Sequence, residues 1–413
     1  MSFLRGPYNL AFYRRHNRSY RISAGMHFFH SKQHDLLLRT RLAESAEVDA
    51  TFEQEAMRYL VATPRTEPDM AYYSEYVDRA MHLVFRTIDW THMHHEQTYD
   101  VLAHRPIAWA EKKKWTDRSV AYYLREQELG VPRSPAPLDV TMRRAAVMMK
   151  PYFTYFRNYY PKDQALFYVA HWWHPAVYEA IMIGGADQES AIKAVDELMY
   201  AQVIPDRPQR MILSREVMPR YSRLSPESAN IFDNLHMLHG IVYDILAYER
   251  WSVEEKRAEL YRVIKAMGYQ PGDEALARKF ALPHADHDPR TYPAWVRSPE
   301  GEMSRIMMEM MTEMMPMMMP GMAADMQASM MAMFKQKMAL GLAPGETPGS
   351  LHDAMAKMMP GMKMMPGTLE PGVVPPMMVE TMLNGWRAKH GAMPDVEAID
   401  MSTMPSSAPL LRT

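Results

Sequence analysis

The stretch "DMAYYSEYVDRAMHLVFRTIDWTHMHHEQTYDVLAH", residues 69–104, decides the fold class. Apolar residues recur three and four apart along it: Tyr73, Val77, Met81, Val84 and Ile88. That spacing marks one face of an α-helix, not the alternation of a half-buried strand. The same period runs on both sides. "DLLLRTRLAESAEVDATFEQEAMRYLVA", 35–62, predicts a helix that ends before Pro64. "PIAWAEKKKWTDRSVAYYLREQELG", 106–130, opens on a proline suited to a first turn and stops at Gly130. Further helices are expected over 138–159, 163–183, 187–202 and 225–249. Ser225 can cap the last of these, Pro226 fits its first turn, and Glu227 favours its dipole. Ser252 and Glu255 form a capping box for the next helix, with Gly268 beyond its last turn. No segment alternates convincingly as a strand. The expected class is all-α, an irregular array of helical hairpins.

Composition sets the outer limits. The chain has 413 residues, 47% of them hydrophobic, which is enough for a substantial core. The formal net charge is −2, so no globally acidic or basic binding surface is indicated. There is no cysteine, which excludes a disulfide framework, a thiolate metal site and a cysteine nucleophile. No run reaches the roughly 20 apolar residues of a membrane-spanning helix. "QALFYVAHWWHPAVY", 164–178, comes nearest and reads as a buried or interfacial helix.

Four segments follow from composition. Residues 1–35 carry Arg5, Arg14, Arg15, Arg18 and Arg21, and the first acidic residue is Asp35. An arginine-rich, acid-free start fits a mitochondrial targeting segment, a basic arm, or one serving as both. The helical core is expected over 36–282, and "PHADHDPRTYPAWVRSP" places an extended, proline-rich linker at 283–302. Residues 303–413 hold 28 of the 43 methionines.

That last region has helical pieces. Met307, Met308, Met311, Met314 and Met315 precede Pro316; Met322, Met326, Met330, Phe334 and Met338 share one face further on. Met382 and Trp386 belong to a final stripe. "MMPGM" occurs at 318–322 and again at 358–362, each as a turn between short helices. Thioethers are soft ligands suited to Cu(I), but the methionines far outnumber any coordination need. Glu309, Glu313, Asp325, Lys335 and Lys337 oppose membrane insertion. The region reads as a conformable surface for a protein partner, with anionic lipid as an additional contact.

The histidines are unusual. Five pairs stand three apart: His27 and His30, His92 and His95, His171 and His174, His236 and His239, His284 and His287. Random placement of the 17 histidines gives ~0.7 such pairs. On a helix the spacing puts both imidazoles on one face, as a metal site needs. The apolar fillers between them fit amphipathic core-edge residues instead, and that reading is preferred. The metal alternative centres on His92, His95 and Glu96, and Asp89 and Asp233 give it the carboxylate-x-x-histidine look of di-iron bundles. No phosphate-binding loop, HExxH or GxSxG is present, so no catalytic residue, cofactor or small-molecule substrate is expected.

One stretch carries a resemblance. "YDILAYERWSVEEKRAELYRVIKAMGYQPGDEALARKFALPHADHDPRTYPAWVRSPEGEM", 243–303, resembles a lineage-specific accessory subunit of the euglenozoan mitochondrial ATP synthase. The resemblance implies a non-catalytic subunit at the membrane-peripheral Fo region, supporting proton-driven ATP synthesis, with neighbouring subunits as partners. It transfers no site residue, because no site motif is shared. The alternatives are a structural protein of the mitochondrial ribosome, with Arg5, Arg14, Arg15 and Lys112 to Lys114 on RNA phosphates, and a metal-binding or di-iron helical protein.

Overall fold

The computed structural model describes residues 6–8, 11–67, 73–125, 156, 159–208, 212, 214–267 and 289–292, and a few positions within 323–332. Of the described residues 83% are helical and none lies in a strand, so the fold is all-α. The helices are α1 (Ala11–Arg15), α2 (Asn17–Arg39), α3 (Ser45–Val61), α4 (Glu75–Ala80), α5 (His82–Ala103) and α6 (Trp109–Arg125). After the next described segment come α7 (Pro161–Gly184), α8 (Gln188–Leu198), α9 (Ser214–Val217), α10 (Pro219–Leu224), α11 (Pro226–Ala247) and α12 (Val253–Met267).

Four long helices close a ring. α2 packs on α11, α11 on α5, α5 on α7 and α7 on α2. α3 lies against α2 and α7, α8 covers another side of α7, and α12 covers α11. α7 is the innermost element. Its segment from Leu166 to Ile181 is buried throughout, including Trp172 and Trp173 at 0% exposure, as expected for an apolar helix interrupted only by two histidines, Pro175 and Glu179. α2 approaches α3 closely at Gly25, where an added Cβ would sit 2.6 Å from the backbone oxygen of Tyr59.

Several expectations need correction. The segment 1–35 does not end before the core: α2 spans the boundary, and Ile22, Met26, Phe29 and Leu37 are buried in the interior. The helix expected at 35–62 is two helices, with Thr40 ending α2 and a 3₁₀ turn, Leu42–Glu44, preceding α3. The helix expected across 69–104 breaks at Met81, whose backbone leaves the helical region (φ −144, ψ 50) while its side chain is fully buried. Ser225 makes no capping bond; its Oγ is buried without a partner. The capping box of α12 does form, with Ser252 N donating to Glu255 Oε2 at 2.7 Å and Glu255 N to Ser252 Oγ at 3.2 Å. The helix expected at 138–159 lies outside the described residues except at 156 and 159, and the linker expected at 283–302 is described only over 289–292, where Pro289–Thr291 form a 3₁₀ turn.

Helix ends are tied by side chains remote in sequence. Asp49 of α3 accepts Lys162 N (3.2 Å) and Asp163 N (3.0 Å) at the start of α7. Asp35 accepts Tyr76 N and Val77 N at the start of α4. Asp100 accepts Phe12 N of α1, Asp233 accepts Ser214 N of α9, and Glu179 accepts Arg220 N and Tyr221 N of α10. Each carboxylate answers the unpaired N–H groups and positive dipole end of another helix. Cations serve the opposite ends. Lys256 Nζ donates to Leu246 O at 2.6 Å, Lys112 Nζ donates to Leu102 O, and Arg257 donates to Ala80 O at 3.2 Å. Burial pushes both lysines down to about 8.

This arrangement predicts the effect of removing one carboxylate. Asp49→Ala should lower stability by about 1–3 kcal/mol, because two N–H groups at the start of α7, that of Asp163 buried, lose their acceptor. Asp49→Asn keeps an acceptor oxygen and should cost less. Urea unfolding checks both; an unchanged midpoint for the alanine variant would refute the tertiary cap.

Candidate metal centre

The inner faces of the four ring helices carry histidine. α2 supplies His27, His30 and His34, spaced three and four apart and therefore on one face. α5 supplies His92 and His95, α7 supplies His171 and His174, and α11 supplies His236 and His239. Eight of these nine rings are buried; His92 keeps 15% of its side chain exposed. Four of the five sequence pairs therefore meet in one place. His284 and His287 lie outside the described residues.

The rings touch across helices. His27 stacks on His92 with centroids 4.3 Å apart, and His174 lies 5.7 Å from His27 and 4.9 Å from His95. Deeper in, His239 lies 5.4 Å from His30 and 5.1 Å from His34, with the His34 and His239 Nε2 atoms 2.9 Å apart. His171 stacks on His236 at 3.8 Å, with Phe167 between that pair and His30. His92 joins the two groups through His239 at 6.4 Å.

Carboxylates stand at one end. Glu67, in the turn after α3, holds His27 Nδ1 at 2.6 Å. Glu96 lies beside Glu67; burial, and then the charge of Glu67, raises its carboxyl well above the usual range. Asp89 stands 4.0 Å from His92. Asp233 is 4.0 Å from His236, but its Oδ1 accepts Ser214 N at 2.6 Å, so it serves a helix end. The carboxylate-x-x-histidine pattern thus joins two sites of different use.

Electrostatics keep the rings neutral. Burial, and then neighbouring imidazoles, holds His30, His92, His95, His171 and His239 well below the ordinary value of 6.5. Burial and the nearby imidazoles also hold His174 well below it, against a bond from its Nδ1 to Ala170 O. Burial alone takes His34, His94 and His236 to about 3. His27 differs: burial works to lower it, but Glu67 outweighs burial and raises it. Neutral imidazole is the metal-ligating form.

Among the described residues, no group of three or more His, Asp or Glu side chains is already arranged to hold a metal ion. The rings meet by faces and edges, so orientation is what differs; spacing is suitable. A metal–nitrogen bond of about 2.0–2.1 Å places centroids of two rings on a tetrahedral ion about 5 Å apart. The separations of 4.9, 5.1 and 5.4 Å fall there, while the nitrogens of these rings do not converge on a common point. Coordinating capacity is unused: His30 Nε2 and His171 Nδ1 are buried without hydrogen-bond partners.

His92, His95 and Glu96, singled out from the sequence, all border the array. Sequence reading missed His34 and Glu67. The seven-residue step from His27 carries His34 onto the same face, a signal present in the sequence; nothing local marks Glu67. His94 points elsewhere, between Ser119 Oγ (2.9 Å) and Ser228 Oγ (2.7 Å). Among the basic residues, Arg14, Arg15 and Arg18 are exposed, while Arg21 donates to Thr63 O (2.6 Å) and Pro64 O (3.1 Å). Arg5 and the tail candidates other than Met326 lie outside the described residues, and Met326 is 42% exposed. Lys113 and Lys114 face solvent beside Asp117 and Glu111, but Lys112 is buried. Comparison with known proteins gives no match to a family model, a curated protein or a solved structure.

The neutral imidazoles make the metal-free fold acid-sensitive. Each is uncharged when folded and takes a proton when unfolded below about 6.5. Its contribution to stability is complete above that pH and is lost as pH falls toward its folded value. Each such group steepens the loss by about 1.4 kcal/mol per pH unit, so four remove about 5 kcal/mol per unit, a large share of ordinary stability. Asp35, Asp49, Glu96, Asp163, Glu179 and Asp196, all raised by burial, act in the opposite direction but are outnumbered by the lowered histidines. Circular dichroism should show cooperative unfolding of the metal-free chain between pH 6.5 and about 5. Full helicity at pH 4 would refute the neutral, buried array.

Proposed function

We propose that this chain is a transition-metal-binding helical-bundle protein. The observation that supports it is the meeting of four His-x-x-His pairs from four helices, with three ring contacts (His95–His174, His34–His239 and His30–His239) at the separation of two ligands on a tetrahedral ion. Chance placement does not give this pattern, and an apolar core has no use for it. A buried nitrogen without a partner costs about 1–3 kcal/mol, which a bound ion would remove. Imidazole suits zinc, copper, iron and nickel, whereas a magnesium or calcium site would need oxygen ligands.

Metal analysis is the direct test. Purified protein is incubated with excess Zn2+, Cu+ or Fe2+ and desalted. At least one equivalent of one metal should remain per chain, with a raised melting temperature. Absence of bound metal in all three cases would end this reading.

A second, compatible reading is that of a non-catalytic accessory subunit in a large mitochondrial assembly, with the peripheral Fo region of ATP synthase first and the mitochondrial ribosome next. It is favoured by the resemblance of 243–303 and by the methionine-rich region, in which Met326 is exposed. Among the described residues no helix is long and apolar enough to cross a membrane, which is compatible with a peripheral position. Co-purification followed by mass spectrometry should recover subunits of one such assembly, and deletion of 303–413 should lose them. Retained neighbours after the deletion would remove the tail's role.

A further inference from the structure

We infer that the loop between α5 and α6, with the end of α1 beside it, is a docking surface for an anionic lipid bilayer. This is independent of metal binding and adds a partner to the peripheral reading. The segment 105–110 reads "RPIAWA". Pro106, Ala108, Trp109 and Ala110 are exposed and Ile107 is half-buried. Trp109, the first residue of α6, is 37% exposed. An apolar tip with a tryptophan at its edge suits the bilayer interface, where an indole sits at headgroup level.

Cations gather around that tip. α1 packs on α5 and carries Arg14 and Arg15, both exposed and without an ion pair among the described residues. The charge of Arg15 reaches His104 and Lys112, and that of Arg105 also reaches Lys112. Lys112 Nζ lies 4.5 Å from the centre of the Trp109 ring while it donates to Leu102 O. Burial, and then Arg15 and Arg105, pushes Lys112 down; burial, and then Arg15 and Lys112, lowers His104. Like charges are therefore crowded here. Glu189 opposes them through Arg105 at 3.1 Å, in a pair open to solvent. Lys113 and Lys114 are offset by Asp117 and Glu111 and add little. Phosphate groups of a membrane surface relieve such crowding. The apolar tip decides between anionic partners. A nucleic acid would engage the cations and stack on Trp109, but it offers nothing to Pro106, Ile107 and Ala108. Among the described residues no helix can cross a membrane, so the contact lies in the plane of the surface.

The chain has no cysteine, so Ile107→Cys gives a unique labelling site. An environment-sensitive fluorophore there should shift to the blue with vesicles of equal parts phosphatidylglycerol and phosphatidylcholine. It should not respond to phosphatidylcholine alone. In co-sedimentation of the full chain, Arg14→Gln with Arg15→Gln should weaken binding to the anionic vesicles about thirtyfold, at ~1 kcal/mol per charge. Trp109→Ala should weaken it as well. If Trp109→Ala fails to fold by circular dichroism, the arginine variant decides, since it changes exposed side chains only. Absent binding, equal binding to both vesicle types, an unshifted fluorophore on bound protein, or unchanged affinity in the arginine variant would each overturn the docking surface. So would a shift produced by oligouridylate and not by vesicles, which would assign the patch to nucleic acid. Co-purification tests the peripheral reading separately, because lipid binding by the purified chain needs no neighbouring subunit.

Discussion

Nine imidazoles placed where an apolar core would normally sit are the constraint on which this fold depends. A buried ring of this kind must stay neutral, because a charge there would have neither water nor a partner. Only His27 has a carboxylate in direct contact, and it alone has its pKa raised. Burial holds the others low, and neighbouring imidazoles add to it for all but His34 and His236. Around this polar centre the helices need an unusually apolar second layer. Trp172, Trp173, Val177 and Ile181 of α7, with Ile192 and Val195 of α8, supply part of it. The ring of four helices is thus hydrophobic in the shell between centre and surface, and polar at its axis.

Helix termination follows the same logic of distance. Asp35, Asp49, Asp100, Glu179 and Asp233 each sit on one helix and satisfy the start of another. Lys112, Lys256 and Arg257 do the same for helix ends. These buried ionic groups are rarely in simple pairs; they face backbone dipoles. They fix which helix stands beside which, and so hold the histidine-bearing faces in register.

Much of the architecture was legible in the chain, and its failures have physical causes. α7, α11 and α12 lie close to their expected spans because their apolar period or capping residues are local signals. The histidine spacing was visible, and its excess over chance was real information. Convergence of the pairs was not visible, since it depends on how four helices pack. α2 was hidden because much of its buried face is Ser19, Ser23, His27, His30, Ser31, Gln33 and His34, which no hydrophobic period reports. Ser225 looked like a cap by position, yet carboxylates far along the chain took that role at other helices. Glu67 escaped notice because a turn residue acquires meaning only from what it reaches.

The contacts of α2 also bear on the birth of the chain. Ser19 donates to Asp196, 177 residues away, and His34 meets His239 across 205 residues. During synthesis α2 is made well before these two partners. At about 5–20 residues per second, the wait from one to the other is roughly 10–40 s. Through that interval a helix rich in serine and histidine tolerates water, where a leucine-rich one would aggregate. The polarity of the innermost helix face thus suits a nascent chain whose core closes only when its far side arrives.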